Sequence, residues 1–260
     1  MLSLAGNQLF KLGFRKMSVH SLKPKHVQAL VDNWKLQGLN PGTIKNRMAC
    51  IRWWAEKVGK SSVIPRDNTL LGIDESKFSS NESKGKELSE AKLIKVKDEH
   101  VRLSLELQKA FGLRREEAIK FIPSYADHEN FIRLKKSWTK GGKQREVPIC
   151  SKYQREILDK AHKLAGKGSL IPSDRNYIQQ LKIYERHTAA AGFSKLHGLR
   201  HTYAQQRYHT LTGWESPAAG GLISNGLTTK QRKIDQEARL KISKELGHER
   251  EQVTTIYLGR

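Results

Sequence analysis

The 260-residue sequence holds two cysteines, seven prolines and no long apolar run. Cys50 and Cys150 stand far apart without metal-ligand spacing, which excludes a disulfide framework and a structural zinc site and makes a reducing compartment the expectation. No stretch approaches the roughly 18 apolar residues of a membrane span, so no partner membrane is expected. The opening MLSLAGNQLFKLGFRK lacks the apolar length and small-residue cleavage site of a secretory signal. Zinc-finger, phosphate-loop and dinucleotide fingerprints are absent, as are internal repeats and low-complexity tracts. Acidic residues are the scarcer charge, 26 against 48 basic, and they form no convergent carboxylate cluster of the kind that holds Mg²⁺.

What is present is positive charge. The formal net charge is +22 with a pI of about 10.0. Both the first 80 residues and the remainder carry a basic surplus. That spread suits two surfaces laid on a long duplex polyanion better than a neutral domain with a basic tail. The length fits about two domains.

Residues 21–60 read as two helices broken at Gly38-Leu39-Asn40-Pro41-Gly42. Val27, Leu30, Val31 and Trp34 share one face of the first. Ile44, Met48, Ile51 and Trp54/Ala55 mark the inner face of the second, a basic helix over 43–58. Arg47 and Arg52 lie on its other faces as candidate groove contacts, and a plain solvated face is the competing reading. The polar stretch 74–87, DESKFSSNESKGKE, reads as an interdomain linker, which sets domains of 1–85 and 86–260. A helical stretch opens near Ser89, a candidate N-cap, and runs with interruptions to Leu107. Gly141-Gly142 signals a two-residue hairpin loop, with Lys140 opposite Lys143, Trp138 opposite Arg145, Lys136 opposite Val147 and Leu134 opposite Ile149. Like charges so paired need water or an anion, and a phosphate would serve, which makes Lys143 and Arg145 candidate DNA contacts. Helices follow at 151–165, 175–191, 196–211 and 231–246, with a Gly/Ser-rich loop over 212–230. The fold expected is mainly α with a small antiparallel sheet.

Several short segments could carry chemistry. In His197-Gly198-Leu199-Arg200-His201, helical spacing puts His197, Arg200 and His201 on one face. Imidazoles move protons near neutral pH, and a guanidinium fork can hold two phosphate oxygens. A packed histidine and a salt-bridged arginine are the ordinary alternative. Arg114 and Glu117 form an i,i+3 pair after Gly112, with Arg115 and Glu116 leaving the roles open by spacing alone. Gly247-His248 ends a helix, and Tyr257 follows nine positions after His248. A phenol, with an ordinary pKa of about 10, attacks a phosphodiester only if its charge is stabilised.

The ordered set FGLRREE, WTKGGKQREVP, LHGLRHTYA, KELGHE and TTIY resembles the catalytic domain of the tyrosine recombinases, or phage-type integrases, over roughly residues 88–260. Residues 20–60 resemble the family's helical core-binding domain. The resemblance implies a site-specific recombinase or integrase, such as mobile elements use, that cleaves and rejoins double-stranded DNA through a 3′-phosphotyrosine without metal, cofactor or ATP. It implies that Arg114 and Arg200 clamp the scissile phosphate and Lys140 protonates the leaving 5′ oxygen. His197 is then the general base partner, His248 a further phosphate donor, Tyr257 the nucleophile, and Glu117 the support of the first arginine. A homo-tetramer on paired sites, in the cytoplasm on the nucleoid, is the implied assembly.

Two features depart from the family pattern. The spacing from Arg200 to His248 is long, with the surplus in 212–230, either a contact to DNA or a neighbouring protomer or a passive loop. Very little chain follows Tyr257. A type IB topoisomerase-like relaxing enzyme and a catalytically silent DNA-binding protein on the same scaffold are the competing functions.

Overall fold

The computed structural model describes residues 1–18, 20–75 and 81–260. The chain forms two compact units, Met1–Phe78 and Ser79–Arg260. Their division falls inside the expected linker, of which residues 76–80 lie outside the described residues.

The first unit is built on α1 (Leu2–Lys11), α2 (Pro24–Leu36) and α3 (Pro41–Lys57). The expected break is present: Gly38 takes φ +68°, and Asn40 Oδ1 caps α3 by accepting from Thr43 N at 2.8 Å. Pro41 at the first helical position starts α3 two residues earlier than its apolar spacing suggests. Val27, Leu30, Val31, Trp34, Ile44, Met48, Ile51 and Ala55 are buried together, as their spacing requires. Trp53 points to solvent, while Trp54 packs at the core's margin. The unanticipated element is α1, which adds Ala5 and Leu9 to this core and satisfies the buried Trp34 indole through Gln8 Oε1 at 2.8 Å.

The second unit is helical around one small sheet. After α4 (Glu90–Leu93), α5 (Glu99–Phe111) starts on Asp98, whose carboxylate accepts from Val101 N, and ends at Gly112 in the left-handed conformation. Then come α6 (Arg115–Ile119), α7 (Pro123–Ala126), strands β1 (Phe131–Leu134) and β2 (Arg145–Pro148), α8 (Lys152–Ala165) and α9 (Tyr177–Ala190). The chain closes with α10 (Gly198–Thr212), α11 (Thr229–Glu245) and α12 (Thr255–Leu258). Leu107, Phe111, Phe121, Trp138, Ile157, Tyr208, Ile242 and Leu258 belong to its main core. Fully burying a side chain of this size contributes about 1.5–3 kcal/mol.

The sheet corrects the expected register. Leu134 pairs with Arg145 and Ile132 with Val147, a slip of four residues from the two-glycine hairpin. A 3₁₀ turn at Lys136–Trp138 buries Trp138 and takes those residues out of the ladder, so 135–144 is one long connection. Because the slip is even, the same side chains still face inward.

The segment at 81–87 is not a free linker. Lys86 N donates to Gly198 O at 3.2 Å, and Thr202 Oγ1 donates to Lys86 O at 2.9 Å, which lays this segment along α10. Within 212–230, Ser216, Pro217 and Ala218 are buried and pack towards α12, while Leu222 and Ile223 are exposed. Among the described residues no helix is long and apolar enough to cross a membrane.

Candidate active site

The site is organised around Glu117, which α6 presents with no solvent exposure. Its carboxylate accepts from Arg114 N at 2.7 Å and Arg114 Nη1 at 2.9 Å, and from Arg145 Nη1 and Nη2, both at 2.6 Å. Burial opposes its ionisation, but the Arg145 fork, the Arg114 N–H and the Arg200 charge prevail and hold the carboxyl at about 2.

Three guanidinium groups meet the C-terminal end of α11, where unpaired carbonyls carry partial negative charge. Arg145 Nε donates to Glu245 O at 2.9 Å. Arg200 Nη2 donates to Leu246 O, and Arg114 Nη2 reaches the same oxygen at 3.4 Å. Arg200 is 1% exposed, and its Nη1 donates to Gly112 O at 2.5 Å. Burial lowers its pKa to about 10, against the pull of the Tyr257 phenol, which leaves it cationic at neutral pH.

Gly112 makes this convergence possible. It turns the chain at φ +60°, and a Cβ there would stand 2.5 Å from Tyr203 Cδ1. Tyr203 in turn donates to Glu245 Oε2 at 2.8 Å, and Arg207 Nε donates to Glu245 Oε1 at 3.0 Å, fastening α10 to α11.

Tyr257, on α12, is buried with its hydroxyl 3.3 Å from Arg200 Nε. Three imidazoles surround its ring, with centroids at 4.8 Å for His201, 6.2 Å for His197 and 6.3 Å for His248. Among the described residues, His201 Nδ1 and His248 Nε2 are buried without a hydrogen-bond partner. Burial lowers both to about 4; His197, Lys84 and Arg200 add to it for His201, and Arg200, Arg114 and Arg145 for His248. His197, exposed at the start of α10, is lowered by desolvation and by Arg200 and Arg114. Neutral imidazoles beside cationic guanidiniums form a pocket that can donate to an anion and accept a proton.

Of the expected site residues, Arg114, Glu117, His197, Arg200, His248 and Tyr257 are brought together. Lys140 sits on the exposed turn before Gly141 and makes no hydrogen bond or ion pair among the described residues. Lys143, on the same connection, pairs with Glu249, next to His248. Arg145 is not a surface contact: it is buried as the counterion of Glu117. The signal for this was in the alternation of β2, since the face that turns Val147 inward turns Arg145 inward too. Arg52 is also engaged internally, donating to Pro65 O at 2.9 Å and Asn68 Oδ1 at 2.9 Å. Arg47 lies half-buried with its guanidinium 5.3 Å from the centre of the Trp34 ring. His201 shared a helix face with His197 and Arg200, but nothing in the spacing put it nearer the phenol than the other two.

Residues 1–64 match the family described as "Phage integrase, N-terminal", and residues 74–206 match the family described as "Integrase". No match was found among the curated proteins. Among solved structures, the chain is similar to a lambda integrase dimer bound to a COC′ core site, at 16% identity and a TM-score of 0.58, covering 96% of this chain and 69% of that one. It is similar to the XerH recombinase bound to palindromic difH in a post-cleavage complex, at 18% identity and 0.55, covering 96% and 72%. It is also similar to the Tn1549 transposon integrase with circular intermediate DNA, at 14% identity and 0.54, covering 94% and 83%. These likenesses concern the fold. The matched family segment ends at residue 206, before His248 and Tyr257.

Proposed function

The chain belongs to the phage integrase, or tyrosine recombinase, family, and from that premise we propose that it is a site-specific DNA recombinase that breaks and rejoins strands through Tyr257. One observation carries the reading. Arg114 and Arg200 reach the same carbonyl oxygen, Leu246 O, and Arg200 Nε also reaches the Tyr257 hydroxyl. Two guanidiniums directed at one point beside a phenol suit a single phosphodiester.

In this mechanism the Tyr257 oxygen attacks phosphorus and its proton passes to the neutral His197. The bond from phosphorus to the 5′ oxygen breaks as Lys140 gives that oxygen a proton, leaving a 3′-phosphotyrosine. Negative charge gathering on the nonbridging oxygens is met by Arg114, Arg200 and His248, a preorganised set of donors. Glu117 holds Arg114, and Arg145 is the buried counterion of Glu117. The covalent link keeps the energy of the broken bond, so a 5′ hydroxyl from another strand reverses the step, and exchange needs neither ATP nor an added cofactor. Four protomers on two paired DNA sites would complete the exchange on the nucleoid.

A nicked suicide duplex tests this. A covalent protein–DNA adduct that disappears in Tyr257→Phe supports catalysis, and normal binding without any adduct supports the silent DNA-binding alternative instead. Relaxation of supercoiled plasmid by a monomer, without any recognition site, is the outcome expected of a relaxing enzyme.

A further inference from the structure

α12 is a single turn, too short to hold its own place, so the position of Tyr257 is set by what grips its flanks. Three side chains do so through the backbone. Gln205 Nε2 donates to Tyr257 O at 3.0 Å, and Arg239 Nη1 donates to Gly259 O at 2.9 Å. Asn81 holds Arg260 with both ends of its amide: Nδ2 donates to Arg260 O at 3.1 Å, and Oδ1 accepts from Arg260 N at 2.9 Å.

Asn81 begins a segment that reaches Tyr257 by a second route, through Gln205 of α10. Ser83 Oγ donates at 3.0 Å to Gln205 Oε1, the other end of the amide that holds Tyr257 O. Residue 86 then lies on the first turn of α10, where a Cβ on Gly198 would stand 2.4 Å from Lys86 Cγ and 2.7 Å from Lys84 O. At the other end, Gly259 takes φ +71°, and a Cβ there would meet Asn81 Oδ1 at 2.6 Å. Close approach is therefore built in at both contacts.

We propose that residues 81–86 form a strap that positions the nucleophile, with Asn81 and the Ser83–Gln205 pair fixing the Tyr257 phenol beside Arg200. The inference rests on the recombinase reading and deepens it. In-line attack tolerates little error: a displacement of about 1 Å costs on the order of a hundredfold in rate. Asn81 is exposed and contributes nothing to the apolar core, so its removal loosens the flank of Tyr257 and leaves the arginine cluster standing.

The full chain is compared with Asn81→Ala, Asn81→Asp and Ser83→Ala. The probe is a nicked suicide duplex carrying the sequence recovered from DNA trapped on the wild-type chain. At saturating DNA, adduct formation by Asn81→Ala is expected to slow about tenfold. Its DNA affinity and melting temperature stay unchanged, and the Arg260 amide exchanges faster with solvent. Asn81→Asp keeps the acceptor for Arg260 N and falls between the two, while Ser83→Ala slows the step without quickening exchange at Arg260. A wild-type adduct with an unaltered rate in Asn81→Ala overturns the strap alone, as does a slowing matched by lost DNA affinity. A wild-type chain that traps no DNA overturns both the strap and the recombinase reading.

Discussion

Arg145 and Glu117 form a buried pair, joined by two parallel hydrogen bonds of 2.6 Å, with side chains only 5% and 0% exposed. Such a pair is strongly destabilising to break from one side, because the remaining charge is left buried. Arg145→Met is therefore expected to lower stability by about 3–5 kcal/mol. The double variant Arg145→Met with Glu117→Gln should recover part of that loss. Denaturant unfolding of four chains, the wild type, Arg145→Met, Glu117→Gln and the double variant, checks this, and strictly additive losses would contradict a coupled pair.

Gly112→Ala meets two obstacles at once. A left-handed residue with a Cβ costs roughly 1–2 kcal/mol, and the new methyl collides with the Tyr203 ring, for which overpacking costs about 1–3 kcal/mol. Gly142→Ala, also at positive φ but with open space around it, serves as the control and is expected to lose only the first amount. Equal losses at the two positions would show that the Tyr203 contact yields freely.

Acid should unfold the second unit in two stages. His201 and His248 sit at about 4 in the folded chain against an ordinary 6.5, so the unfolded chain binds more protons as pH falls below 6.5. Stability is thus full above 6.5 and declines towards 4, by about 1.4 kcal/mol per pKa unit of each group. Glu117, at about 2 against 4.5, adds a second decline between those values. Melting temperatures recorded from pH 7 to pH 3 read both stages, and His201→Phe should flatten the first. A melting temperature that does not change between pH 7 and pH 4 would remove the basis for neutral buried imidazoles.

Lys140→Ala separates proton donation from binding. If Lys140 protonates the leaving oxygen, its loss slows cleavage by a factor on the order of 10²–10⁴. A substrate whose bridging 5′ oxygen is replaced by sulfur, a leaving group that needs no proton, should restore the rate. Lys143→Ala, which releases Glu249, is expected to be milder and not rescued. Rescue of Lys143→Ala rather than Lys140→Ala would transfer the acid role to Lys143.

Much of the helical frame was legible because apolar spacing and end signals agree. The expected helices at 151–165 and 175–191 correspond to α8 and α9, each begun by a capping box, Ser151 with Gln154 and Asn176 with Gln179. The same device at Thr228 and Gln231 starts α11 two residues before its expected first residue. Turn chemistry misled in the sheet, where Gly141-Gly142 has the composition of a tight hairpin but Trp138 gains more by entering the core than by staying in a ladder. Charge misled at Arg145 and Arg52, because a basic residue in a basic protein reads as a surface group until its internal acceptor is known. In the site, the residues gathered around Tyr257 stood in recognisable short segments. The strap did not, since a polar stretch carries no sign of what its backbone will meet.

Leu246 offers its main-chain oxygen to Arg114 and Arg200 alike. A peptide oxygen is the same atom whatever side chain its residue carries, so no substitution at 246 deletes the acceptor itself. Vulnerability moves to anything that shifts the last turn of α11 along its axis, such as a one-residue deletion between Thr228 and Glu245. That deletion would carry the oxygen away from both guanidiniums while leaving every residue of the pocket chemically intact.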